Sequence, residues 1–87
     1  MTSLADKIAD YCQEKGLRNS FRRVQVAGLL ERATEPVSAE ELWILLRQEE
    51  FQMSIGAVYV ALAWLVEAGF ARKIPGHDRT FRYALPA

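Results

Sequence analysis

Apolar residues recur at helical spacing along most of the chain and alternate near its end. Leu4, Ile8 and Tyr11, with Cys12 beside them, predict a first helix over residues 3–15. Ser3 is placed to cap it, Asp6 follows three residues on, and Gly16 offers a left-handed stop. A second helix is expected over 20–32, with Val24, Ala27 and Leu30 facing inward, and Pro36 breaks the chain after it. The third, over 38–50, has the clearest start. Ser38-Ala39-Glu40-Glu41 has the spacing of a capping box, with Val37 and Leu42 at the staple positions around it. Its buried stripe is read as Leu42, Leu45 and Leu46, flanked by Trp43.

The fourth helix is expected over 54–68, from a Ser54 cap to a Gly69 terminator. Two short extended stretches follow, at 70–74 and 80–85. In the second, Phe81, Tyr83 and Leu85 alternate with Thr80, Arg82 and Ala84, the period of a half-buried strand. Pro75-Gly76-His77-Asp78-Arg79 between them is a turn rich in breakers. The pattern predicts a mainly α fold with a small terminal β-hairpin, a winged helix-turn-helix, as one unit over 1–87.

Composition agrees with a folded chain. Hydrophobic residues make up 51% and charged residues 25%, with 5 glycines and 3 prolines, which excludes disordered and collagenous classes. A chain of 87 residues buries only roughly 60–65% of its unfolded surface, so its margin of stability is thin. One cysteine, Cys12, cannot form an internal disulfide; its place on an apolar stripe makes it a small core side chain. The uncharged run from Phe51 to Val66 is shorter than the roughly 18–20 residues that span a bilayer. The first fifteen residues carry Asp6, Lys7, Asp10, Glu14 and Lys15, so no signal-peptide core is expected there. The expected location is the cytoplasm, with no membrane partner.

Charge adds a functional clue. The net charge is zero, yet Lys15, Arg18, Arg22 and Arg23 form a cationic block with no acid among them. Arg72, Lys73, Arg79 and Arg82 form a second block, diluted by Asp78. A neutral chain with two such blocks can bind a polyanion if folding brings them to one face. Catalysis is not expected, because no Ser/His/Asp set, Cys/His pair or phosphate-cradling glycine loop is present. Glu40 and Glu41 are explained as first-turn acids that complement the helix dipole.

Three stretches resemble the N-terminal domain of the ferric uptake regulator family. They are Lys15-Gly16-Leu17-Arg18 with Ser20 and Arg23; Pro36-Val37-Ser38-Ala39-Glu40-Glu41-Leu42; and Ser54-Ile55, Val58-Tyr59, Leu62, Leu65 and Glu67-Ala68-Gly69. The resemblance runs from about residue 4 to 85 and implies a bacterial DNA-binding transcriptional regulator. It implies that the fourth helix enters the major groove of double-stranded DNA, that Tyr59 contacts base or backbone, and that Arg79 lies on the wing. Lys15, Arg18, Arg22 and Arg23 would then meet phosphates, and Ser54 would start the inserted helix.

The sequence also departs from that family. The family's C-terminal domain, which dimerises and binds metal, has no counterpart in these residues. A histidine often found before the Val-Ser-Ala stretch is Pro36 here, an acidic residue of the last strand is Ala84, and His77 stands alone in the wing turn. One histidine does not make a site, so no metal and no cofactor are expected. The fourth helix has also lost polar groups. At about 100° per residue, Ile55, Val58, Leu62, Leu65 and Val66 form its inward arc. Gly56, Ala57, Val60, Ala63, Trp64 and Glu67 form the outward arc, where the Trp64 indole is the remaining base-edge donor. Val60 stands where the family carries an arginine, and Tyr59 lies between the arcs. Two readings follow. One is a metal-independent DNA-binding regulator. The other is a protein-interaction module, a homodimer or a regulator-docking winged helix, using Ala57, Val60 and Trp64 as its interface.

Overall fold

The computed structural model describes residues 3–86; residues 1, 2 and 87, the ends of the expected unit, lie outside the described residues. Six elements run in the order α1 (Leu4–Lys15), α2 (Phe21–Arg32), α3 (Ala39–Gln48), α4 (Ile55–Glu67), β1 (Arg72–Pro75) and β2 (Phe81–Ala84). Four helices and a two-stranded antiparallel hairpin make a winged helix, in which α3 and α4 are the helix-turn-helix pair.

Local chemistry sets the helix ends. The Ser3 hydroxyl accepts from the Asp6 amide at 3.2 Å, and Gly16 closes α1 at a φ of 67°, where a side chain would be strained. In α3 the Ser38 hydroxyl accepts from the Glu41 amide at 3.1 Å while the Glu41 carboxylate accepts from the Ser38 amide at 3.2 Å. That reciprocal box fixes where the helix-turn-helix begins. Ser54 caps α4 through the Ala57 amide at 3.1 Å. The turn between α3 and α4 is fastened by the Trp43 indole N–H, which donates to the Met53 carbonyl at 2.9 Å.

The core lies between α1, α2 and α4, closed by α3 and the hairpin. Leu4, Ile8 and Cys12 of α1 are buried, and the Leu4 amide donates to the Glu31 carboxylate at 3.0 Å, which ties the start of α1 to α2. Helix α2 packs on both α1 and α4, so its buried arc widens to Val26, Ala27, Leu29 and Leu30, with Val24 only half-buried. In α3 the stripe narrows to Ala39, Leu42 and Leu46; Leu45, expected inside, is 39% exposed. Leu45 lies about 60° around the helix from Leu42, beyond the edge that α4 and β2 cover. In α4 the buried residues are Val58, Ala61, Leu62 and Leu65, whereas Ile55 and Val66 sit half-buried at the margins.

The hairpin pairs Arg72 with Ala84 and Pro75 with Phe81. Its first strand, expected over 70–74, begins two residues later, at Arg72. The amides of Phe70 and Ala71 are instead engaged by the Leu65 carbonyl at 2.8 and 3.2 Å, finishing α4. Tyr83 also bridges to Val37 through two backbone hydrogen bonds of 3.0 and 2.7 Å, so the segment before α3 is stitched to the wing. Buried Tyr83 and Val37 thereby set the hairpin against the helix-turn-helix.

Candidate nucleic-acid interface

Two cations of the basic block at the α1–α2 junction, Arg22 and Arg23, lie beside α4. Lys15 at the end of α1, with Arg18 and Arg22, is exposed, while Arg23 is half-buried. The Arg23 guanidinium lies 4.1 Å from the centroid of the Trp64 ring on α4 and donates to the Arg18 carbonyl at 3.3 Å. Arg22 lines an open groove with Arg47 of α3, with one acid, Glu50, and with Ser54 and Ala57, the cap and first turn of α4. Cations thus flank α4 at its N-terminal end and again along its side. A helix N-terminus beside arginines favours anionic oxygens, because its free amides and dipole add to the fixed charge.

Trp64 is not the open anchor that the sequence suggests. The edge of Tyr11 meets it at 5.7 Å and 87°, Phe70 lies 6.1 Å away at 19°, and Arg23 is over the ring. It is a peripheral core residue in an aromatic cluster joining α1 to α4. Lys15 reaches the same cluster, 6.0 Å from the Tyr11 ring. Ala57 is half-buried as well, so of the three residues assigned to an interface Val60 alone is fully outward, at 71% exposure.

Tyr59 is exposed at the edge of α4, and its hydroxyl donates to the Glu40 carboxylate at 2.7 Å. That bond holds the Glu40 carboxyl below its ordinary pKa and pushes the Tyr59 phenol up. Glu40 was assigned only a helix-dipole role from the sequence. Its partner is on another helix, and nothing local signals the contact.

On the wing, the Asp78 carboxylate accepts from the Thr80 amide at 3.2 Å and pairs with Arg82 at 3.4 Å. Arg82 is the main cause of the lowered Asp78 pKa. Arg72 donates to the Leu85 carbonyl at 3.2 Å, and Lys73 lies 4.0 Å from the Phe81 ring. Arg79, at the turn and at a φ of 66°, makes no side-chain hydrogen bond or ion pair among the described residues. Of these four cations Arg82 is the one paired with an acid among the described residues, and the Arg79 head group makes no polar contact there.

A sequence model of the ferric uptake regulator family matches residues 14–87. The chain belongs to the ferric uptake regulator family. That family consists of transcriptional regulators rather than enzymes. The chain is 28% identical over 83 residues to the ferric uptake regulation protein of Rhizobium leguminosarum bv. viciae, covering 95% of this chain and 58% of that protein. Among solved structures it is similar to the peroxide-sensing PerR of Streptococcus pyogenes, at 25% identity and a TM-score of 0.85, with 97% of this chain and 58% of that one covered. It is also similar to the Helicobacter pylori regulator Fur, at 27% identity and a TM-score of 0.78, covering 98% and 61%. The chain spans less than two thirds of the length of these relatives.

The Helicobacter pylori protein is described as having three functional metal binding sites. No three His, Cys, Asp or Glu side chains converge among the residues described here. His77 is exposed in the wing turn, its neighbour Asp78 is committed to Thr80 and Arg82, and Cys12 is buried in the core. No described helix is long and apolar enough to cross a membrane.

Proposed function

We propose that this chain is the DNA-binding part of a bacterial, cytoplasmic transcriptional regulator, and that it engages double-stranded DNA without holding a metal itself. The observation that carries this reading is the attachment of the basic block to α4, through Arg23 on Trp64 and Arg22 beside Ser54. In this reading Lys15, Arg18, Arg22, Arg23 and Arg79 meet phosphates and fix the register. Ser54 caps the inserted helix, and Tyr59 works from its edge. Gly56, Val60 and Ala63, all exposed, leave apolar contact and DNA shape as the means of discrimination, because Val60 cannot make the bidentate arginine-to-guanine contact.

A second reading has its own support. A valine at 71% exposure on an inserted helix is also what a protein-docking face presents. In that case the fourth helix covers a second copy or another regulator instead of DNA.

The deciding experiment is fluorescence anisotropy of a labelled random-sequence duplex, titrated from low to physiological salt. The DNA reading expects binding whose log–log salt slope reports several phosphate contacts, with an isotherm that a chelator leaves unchanged. Arg23→Ala should weaken binding to all sequences alike and reduce the slope by about one unit. No association at low salt, with protein well above the roughly 10⁻⁴–10⁻⁶ M of ordinary non-specific complexes, removes the DNA reading.

A further inference from the structure

We propose that Trp64 is a positioning residue whose indole presets the Arg23 guanidinium for phosphate; the proposal rests on the DNA reading above. An arginine side chain in solution samples many rotamers, and binding must freeze them. Here that ordering is completed by folding. The guanidinium carbon lies over the Trp64 ring, 4.1 Å from its centroid, and Nη1 donates to the Arg18 carbonyl at 3.3 Å. These two contacts, one to the ring and one to a carbonyl, restrict where the group sits and the direction of one of its N–H bonds.

The platform is itself held. Tyr11 from α1 meets the indole edge-on at 5.7 Å, and Phe70, just after α4, lies beside it at 6.1 Å and 19°. Swinging the indole away would break contacts to α1 and to the segment after α4, so Arg23 is registered to α4 rather than merely near it. The charge also remains available. Among the described residues no carboxylate lies within ion-pair distance of Arg23, whereas Arg32 and Arg82 are both paired, to Glu49 and Asp78. A guanidinium over an aromatic ring keeps N–H edges free for a second, bidentate partner, a geometry that the point charge of lysine does not offer. Pre-ordering of this kind strengthens binding by lowering its entropic cost.

The test separates the stack from the DNA. In the free protein, the Arg23 side-chain protons should show ring-current shifts by NMR that vanish in Trp64→Leu. In the anisotropy assay Trp64→Leu should weaken DNA binding by about three- to tenfold. The salt slope should stay unchanged, because no charge is removed. In an Arg23→Ala background the same substitution should have no further effect. Trp64→Phe, which keeps an aromatic face, should retain most of the affinity, and it serves as the variant if Trp64→Leu does not fold. Absent ring-current shifts in the wild-type protein overturn the proposal, as does a loss of affinity that is equal with and without Arg23. A wild-type protein that shows the shifts but binds no DNA keeps the stack and removes the functional reading, and the proposed role falls with it.

Discussion

Tyr59 and Glu40 define the chemistry of the α4 edge at the residue scale. The phenol donates to the carboxylate, so the hydroxyl that sequence resemblance assigns to DNA arrives with an acid attached. The pair has a defined pH window. Glu40 is held below its ordinary pKa, so its contribution is complete above the ordinary carboxylate range and is lost as pH falls through the lowered value. Tyr59 is raised, so its contribution is complete below the ordinary tyrosine value and is lost as pH rises through the raised one. At neutral pH Glu40 is ionised, so under the proposed DNA reading it would oppose phosphate. Glu40→Gln keeps an acceptor for Tyr59 and removes the charge. It should strengthen binding to random-sequence duplex by about two- to fivefold at low salt, with the gain fading as salt rises. An unchanged anisotropy isotherm would place Glu40 away from the phosphate path. The same scale shows why the three interface residues divide. Trp64 and Ala57 are drawn into packing by Tyr11, Phe70 and the core, while Val60 meets no covering side chain large enough to shield it.

At the scale of elements, α4 is the unusual one, apolar on nearly every side and carrying no charge before Glu67. Its ends were legible in the sequence, because a cap is local chemistry between Ser54 and Ala57. Its inward face was legible only in part. A helical wheel gives angle, but α2 and α3 on its flanks decide how far burial extends, which moved Ala61 inside and left Ile55 and Val66 at the margin. The outward face separates the two functional readings. Val60→Arg should raise DNA affinity and steepen the salt slope by about one unit if α4 enters the groove. If α4 is instead a contact between protein chains, the same variant should shift an oligomer to monomer in sedimentation. The wing presents a similar case. The alternation of its second strand was readable, but the start of β1 depended on the Leu65 carbonyl holding Phe70 and Ala71 back for the helix end.

The whole molecule is a small core with little to spare. An 87-residue chain has about 4–13 kcal/mol of stability in total. Leu62 is fully buried at the centre of α4, and Leu62→Ala should cost about 2–5 kcal/mol, read as a lowered urea midpoint with the same slope. A loss under about 1 kcal/mol would mean that the site collapses around the smaller residue. The sequence by itself determined the serine caps of α1, α3 and α4, the left-handed stop at Gly16, the α-then-hairpin order and the family. Each of these is written in residues a few positions apart or in a motif read along the chain. Tertiary structure alone decided that Arg23 rests on Trp64, that Tyr59 is tied to Glu40, that Arg82 is spent on Asp78 while Arg79 is not, and that Val37 joins Tyr83. Apart from the wing pair, these partners are far apart in sequence, and their meeting depends on how whole helices and the hairpin pack. A side chain's availability for DNA is set by what packs beside it, and no local pattern records that.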